Sequence, residues 1–164
     1  MTMTFLNELL VYSTLAFYAL ASACYFIGLK KENLLRLALG LTWAGLITNF
    51  SALLIRTIMS GRLPLNNGYE FVLCFSFFTV LMYIIYEKYS KTQVAGGIVM
   101  LINALLLLSI PLLMSNQINY IGNVMPALKS PWLVVHVVTA VVAYSCFALA
   151  AGLAIIQLKK LVPF

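Results

Sequence analysis

His136 is the only histidine in the chain. It sits about one turn inside an apolar run that begins near Trp132. Neutral imidazole is a common ligand for transition metals, heme iron among them. An ionisable group in apolar sequence is costly to bury, so its placement there points to function. The competing reading is a neutral imidazole hydrogen-bonded to a neighbouring helix, a packing role that many polar groups in membranes fill. Trp132, four residues earlier, shares the helical face of His136. It is either an interfacial belt residue or an aromatic wall for a flat ligand. The third candidate is Glu70, which follows the turn Pro64-Leu65-Asn66-Asn67-Gly68-Tyr69. At the head of a helix its carboxylate meets the positive end of the helix dipole. It is either a first-turn acid after an Asn/Gly turn or an outward-facing charge that positions a neighbouring loop or ligand.

Other polar residues read more plainly. Asn49 and Asn103 lie within apolar runs, where each is expected to hydrogen-bond between helices. Arg56 and Arg62 flank the outer end of the second run, where they are expected to snorkel to phosphate groups; the propionates of a heme are an alternative partner. Cys24, Cys74 and Cys146 each fall inside an apolar run, and none forms a CxxC pair. They read as small hydrophobes rather than as a disulfide framework or a zinc site. No Walker loop, nucleophile–base pair or paired-carboxylate site is evident, and four acidic residues in the chain leave little for acid–base work. No catalytic residue is assigned.

The elements that carry these residues are membrane helices. Hydrophobic residues make up 63% of the 164 and charged residues only 9%, against about 25% charged in soluble domains. Mean hydropathy is +1.03. A chain with so few charges cannot cover a folded surface in water, so the bilayer is its solvent. Lipid leaves no backbone group unpaired, and the long continuous runs lack the alternation of barrel strands, so the fold class is all-α. Five spans are predicted: about Leu9–Leu29, Leu37–Met59, Tyr69–Tyr86, Val94–Met114 and Trp132–Leu158, each near the ~20 residues that cross a bilayer. Residues 1–164 read as a single transmembrane domain.

The formal charge of +6 does not indicate nucleic acid, because the basic residues sit in short pairs beside apolar runs. Seven of the ten, Lys30, Lys31, Arg36, Lys88, Lys91, Lys159 and Lys160, fall on one side; Arg56, Arg62 and Lys129 fall on the other. The richer side is expected to be cytoplasmic, placing the N-terminus outside and the C-terminus inside. On that topology the Pro64–Glu70 turn and the 115–131 loop share the outer side and are expected to pack together over the ends of the spans. His136 is expected to face a cavity there. No cleaved signal peptide is expected, since the N-terminus has no basic n-region and Glu8 precedes the first apolar run.

Two motifs narrow the reading. Gly61-Arg62-Leu63-Pro64-Leu65-Asn66-Asn67-Gly68-Tyr69-Glu70 resembles the G-x-x-P-x-x-N-x-Y-E segment of the CcsA/ResC (CcsB-type) family of system II cytochrome c biogenesis proteins. Pro126-Ala127-Leu128-Lys129-Ser130-Pro131-Trp132-Leu133-Val134-Val135-His136-Val137, followed by Tyr144 and Phe147, resembles its P-A-L-x-S-x-W-L-x-x-H-V segment. The resemblance implies a multi-pass protein of the bacterial inner (plasma) membrane that binds and presents heme b, transiently, at the outer face. It implies His136 as an axial ligand of the heme iron, with Trp132 and Glu70 beside the cofactor. It also implies apocytochrome c and a ResB/Ccs1-like assembly protein as partners besides the lipid bilayer. The WWD segment and second external histidine of the family are absent here, and Asn49 stands where some relatives carry a histidine. The chain therefore resembles the N-terminal half of the family fold, and a WWD-containing C-terminal subunit is an expected partner. Whether it takes part in heme attachment as an enzyme stays open. The alternative is a structural membrane subunit or truncated remnant that binds no heme; a small transporter or channel half has no charged pathway to support it.

Overall fold

The computed structural model describes residues 2–28, 31–90, 93, 95–118, 120 and 130–161, with side chains from 3 to 158 within those segments. Six helices follow in order: α1 (Thr2–Gly28), α2 (Glu32–Ser60), α3 (Gly68–Ser90), α4 (Gly96–Leu113), α5 (Ser115–Ile118) and α6 (Pro131–Leu161). All but α5 are long and apolar enough to cross a membrane. The expected all-α bundle of five spans is therefore present. Helices α1, α2 and α3 overrun their expected spans, because helical hydrogen bonding continues into the polar flanks after hydropathy has fallen. Leu29 and Val94, expected at span ends, lie outside the described residues.

Helices α1 to α4 form a ring in which α1 packs on α2 and α4, and α3 packs on α2 and α4. Helix α6 stands outside this ring and leans mainly on α3. The ring interior holds Tyr18, Ala21, Ala38, Leu73, Val80, Val99, Met100, Leu107 and Ile110, all essentially inaccessible. Large apolar side chains such as Phe5, Ile27, Ile47, Ile58 and Leu112 point outward, an arrangement suited to acyl chains and not to water.

Two glycines set the geometry. Gly61 caps α2 in the left-handed region at φ 65°, its N–H donating to the Thr57 carbonyl at 2.9 Å, as a glycine after a helix end does readily. Gly45 lets α1 approach α2 closely: a Cβ at that position would overlap the Tyr18 ring. Small residues at helix crossings are the main route to tight packing in lipid, where hydrophobicity does not draw helices together.

Two expectations for polar residues are corrected here. Asn103 donates from Nδ2 to Val99 O within its own helix, at 2.9 Å, and not across to another. Arg56 does not snorkel; it is fully buried. Asn49 is fully buried and faces the Tyr18 hydroxyl of α1, between helices as expected. Interhelical side-chain bonds include those from Thr14 to Thr48 at 2.8 Å, from Asn7 to the Tyr69 hydroxyl at 2.8 Å and from Ser22 to the Gly97 carbonyl at 2.9 Å. Of the cysteines, Cys74 is buried, Cys24 half-buried and Cys146 exposed, and all three are free.

Replacing Gly45 by leucine should push α1 off α2 and lower stability by about 1–3 kcal/mol, the usual cost of overpacking. Thermal unfolding in detergent micelles measures it. A Gly40→Leu control, at a glycine with open space around it, should change little; equal losses for both would contradict the assigned close approach.

Candidate functional site

The polar end of the bundle is built from the first turn of α3. Asn67 accepts the Glu70 N–H on its Oδ1 at 2.8 Å, and Phe71 N–H reaches the Asn67 carbonyl at 3.0 Å. Asn67 is thus the N-cap, with Glu70 three residues on. The Glu70 carboxylate turns back to accept the Asn66 N–H at 2.8 Å, a variant of the reciprocal capping box. This local pattern holds the carboxylate at the helix end.

Two arginines close on that carboxylate. Arg56 Nε donates to Glu70 Oε1 at 2.9 Å, and neither side chain is exposed. Arg62 Nη1 donates to Oε2 at 3.0 Å and remains one-fifth exposed. The rest of the Arg56 guanidinium reaches backbone carbonyls in and after α5: Ile118 at 2.8 Å, Tyr120 at 2.6 Å and Gln117 at 3.4 Å. Its carbon lies 5.3 Å from the centre of the Tyr69 ring, within range of a cation–π contact. Gln117 adds a bond from its Oε1 to the Tyr69 N–H at 3.2 Å. One arginine therefore ties α2, α3, α5 and the segment after α5. A buried pair with its remaining donors satisfied in this way costs far less than an isolated buried charge.

The expected packing of the Pro64–Glu70 turn on the following loop is present at Gln117, which bonds Tyr69, and Arg56 of the same cluster holds Ile118 and Tyr120. Residues 121–129, including Lys129 and the Pro126–Leu128 part of the second motif, lie outside the described residues, as do Lys30 and Lys91. Glu70 faces neither solvent nor an open ligand site. Its two oxygens are occupied by the two arginines and the Asn66 N–H, which tie α2 and the 62–66 loop to the α3 cap.

His136 and Trp132 lie elsewhere. Both are exposed on α6, Trp132 at 82%. The expectation that His136 faces a cavity of the bundle is corrected: α6 presents Val137, Val141, Ser145, Leu149 and Gly152 inward, and 100° per residue places His136 on the far side. The ring nitrogens carry no hydrogen bond recorded among the described residues; only the His136 carbonyl is engaged, accepting from Thr139 Oγ1 at 2.9 Å. The three sequence candidates thus form two places, a buried positioning cluster around Glu70 and an open imidazole–indole face on α6. Among the described residues no three His, Cys, Asp or Glu side chains gather as a metal site. The role of Arg56 as the centre of the cluster was hidden, since its partners are mostly backbone carbonyls some 60 residues away.

A five-span helical membrane protein with an N-x-x-E capped turn under an arginine clamp and an exposed tryptophan–histidine helix is the class these features define. The chain belongs to the family described as Cytochrome C assembly protein, whose model matches residues 65–162. Relatives named "Cytochrome c biogenesis protein CcsA" align with it: 33% identity over 135 residues in Mesostigma viride, covering 76% of this chain and 41% of the relative. The same name is carried by relatives in Guillardia theta, at 30% over 82% of this chain and 46% of the relative, and in Marchantia polymorpha, at 36% over 66% and 33%. The chain spans less than half the length of the curated relatives it matches. No solved structure matches it.

Truncating Arg56 to alanine should cost about 3–5 kcal/mol, because it strips a buried carboxylate of a partner and leaves several carbonyls without donors. Glu32→Ala, which breaks the exposed Arg36–Glu32 pair at 2.9 Å, should cost under about 1 kcal/mol. Unfolding of both variants in micelles compares them, and similar losses would refute the assigned importance of the clamp.

Proposed function

We propose that this chain binds and presents heme at the outer face of the membrane during cytochrome c maturation, and that it does so together with a partner. Family membership and the printed name of the relatives support the process. The observation that carries the heme reading is the exposed imidazole of His136, with Trp132 one turn away, on the α6 face that packs against none of the described residues. These residues fit one axial position and one flat wall of a heme; they do not enclose one. His136 would hold the iron and Trp132 would lie along the macrocycle, while Glu70 acts at a distance by fixing the neighbouring loop. A bound heme is the group delivered to apocytochrome c. The missing axial ligand and the opposite wall would come from a partner such as a WWD-containing subunit, with a ResB/Ccs1-like protein as a further member of the assembly.

The same proposal sets topology. With the basic-rich side cytoplasmic in a bacterial plasma membrane, the N-terminus and the Pro64–Glu70 turn lie outside and the C-terminus inside. In a cysteine-free background, Ser115→Cys should react with an impermeant thiol reagent in intact cells while Ser90→Cys should not. The opposite pattern would invert the topology and move the His136 end of α6 to the cytoplasm.

Purification with heme tests the ligand. The native chain should show a heme absorption band of incomplete ligation, and His136→Ala should lose most of it. Trp132→Ala should weaken binding with a smaller spectral change. Identical spectra and heme content in the native chain and His136→Ala would overturn the reading in favour of a structural membrane subunit.

A further inference from the structure

The interior of the four-helix ring carries polar groups that neither the arginine clamp nor the heme reading uses. Asn49 lies between Thr42 and Arg56 on the inward seam of α2, Ser76 between Leu73 and Val80 on that of α3, and Asn103 between Met100 and Leu107 on that of α4, all of them wholly buried. The fourth helix brings the Tyr18 hydroxyl, which faces Asn49. The three side chains share one depth. Asn49 is seven residues from Arg56 and Ser76 six from Glu70, and those two charges are paired at 2.9 Å, so both lie about 10 Å below the clamp at the helical rise. Asn103 is seven residues from Gly96 and Ser76 seven from Tyr83, whose hydroxyl lies against Gly96, so Asn103 comes to the same level from the other end.

Their hydrogen bonding is incomplete. Asn103 Nδ2 is held by the Val99 carbonyl, but its Oδ1 has no partner among the described residues, and neither has Ser76 Oγ. The Asn49 amide has two N–H groups and an acceptor oxygen, more than the single Tyr18 hydroxyl can satisfy. Buried polar groups find partners, and acyl chains supply none. No charged residue falls at this depth on α1 to α4, so the groups match a neutral ligand that both donates and accepts. Ala52 and Ala104, on the same buried faces, are small, which favours room beside the amides. We propose that Asn49, Ser76, Asn103 and Tyr18 form a hydration site in the middle of the membrane, where bound water bridges the two amides and the serine hydroxyl. Water donates to Asn103 Oδ1 and accepts from Asn49 Nδ2, the two-to-four-partner setting in which buried water is held. The four ring helices are thereby joined at a level where no side chain of one reaches all the others.

Solid-state NMR of the isotope-labelled full chain in lipid bilayers tests this, with magnetisation transferred from water to protein at short mixing times. The side-chain amides of Asn49 and Asn103 should receive water magnetisation, while the backbone amides of the lipid-facing Ile47 and Leu105 should receive none. Absence of transfer to both asparagine side chains would overturn the site. Asn49→Leu should abolish transfer at Asn103 as well, because the water is shared, and Ser76→Ala should weaken it at both amides. Unchanged transfer at Asn103 in Asn49→Leu would overturn the bridge between them. Replacing sodium and potassium in the buffer by N-methylglucamine should leave the transfer and the melting temperature of the native chain unchanged; a loss of either would overturn water as the occupant in favour of a monovalent cation. The native measurements decide the matter even where a variant fails to fold. None of these readings depends on heme.

Discussion

The buried ion pair between Arg56 and Glu70 is the constraint on which one whole end of this bundle depends. Two full charges lie out of reach of solvent in a chain with few charges at all. They persist there because every neighbouring group has been recruited to them: a second arginine, a backbone N–H from the α3 cap, the carbonyls around α5 and a tyrosine face. Removing the pair would leave the ends of α2, α3 and α5 held mainly by apolar contact and the single Gln117–Tyr69 bond, and apolar contact distinguishes poorly between alternative arrangements in a bilayer. The pair thus contributes specificity of arrangement, joining the cap of α3 to the carbonyls of Gln117, Ile118 and Tyr120.

That rigidity contrasts with α6. Within the ring, polar side chains are buried and helices approach through small residues. On α6, only one side meets protein, and the chemically capable residues are on the other. A helix whose imidazole and indole look away from its own bundle is suited to completing a site with another surface.

The number and nature of the spans were legible because hydropathy and the absence of charge leave few other solutions. The Asn67–Glu70 cap was legible too, since N-x-x-E after a Pro/Gly turn carries its mechanism in the residue types. Arg56 was misread. A lone arginine at a span end ordinarily finds lipid phosphate, and nothing in the sequence shows that Gln117, Ile118 and Tyr120 turn their carbonyls to it. Asn103 was misread for a related reason, because an amide can reach a carbonyl of its own helix as easily as a neighbour. The orientation of His136 was not legible, because periodicity tells which residues share a face but not which face of α6 meets α3. Val137, Val141 and Ser145 are no more apolar as a set than Val135, Ala143 and Phe147, so the choice rested on shape, which composition does not report.

The Arg56 clamp closes mainly on main-chain oxygens. Carbonyls are the same whatever side chain follows them, so residues 118 and 120 can be exchanged without loss of these bonds. Related sequences could therefore hold the same latch while sharing almost nothing along the segment it grips. The mark of the interaction would be a steadfast Arg56 with its Glu70, and no compensating change along the gripped segment. A search for paired substitutions would pass over the strongest tether in this end of the protein.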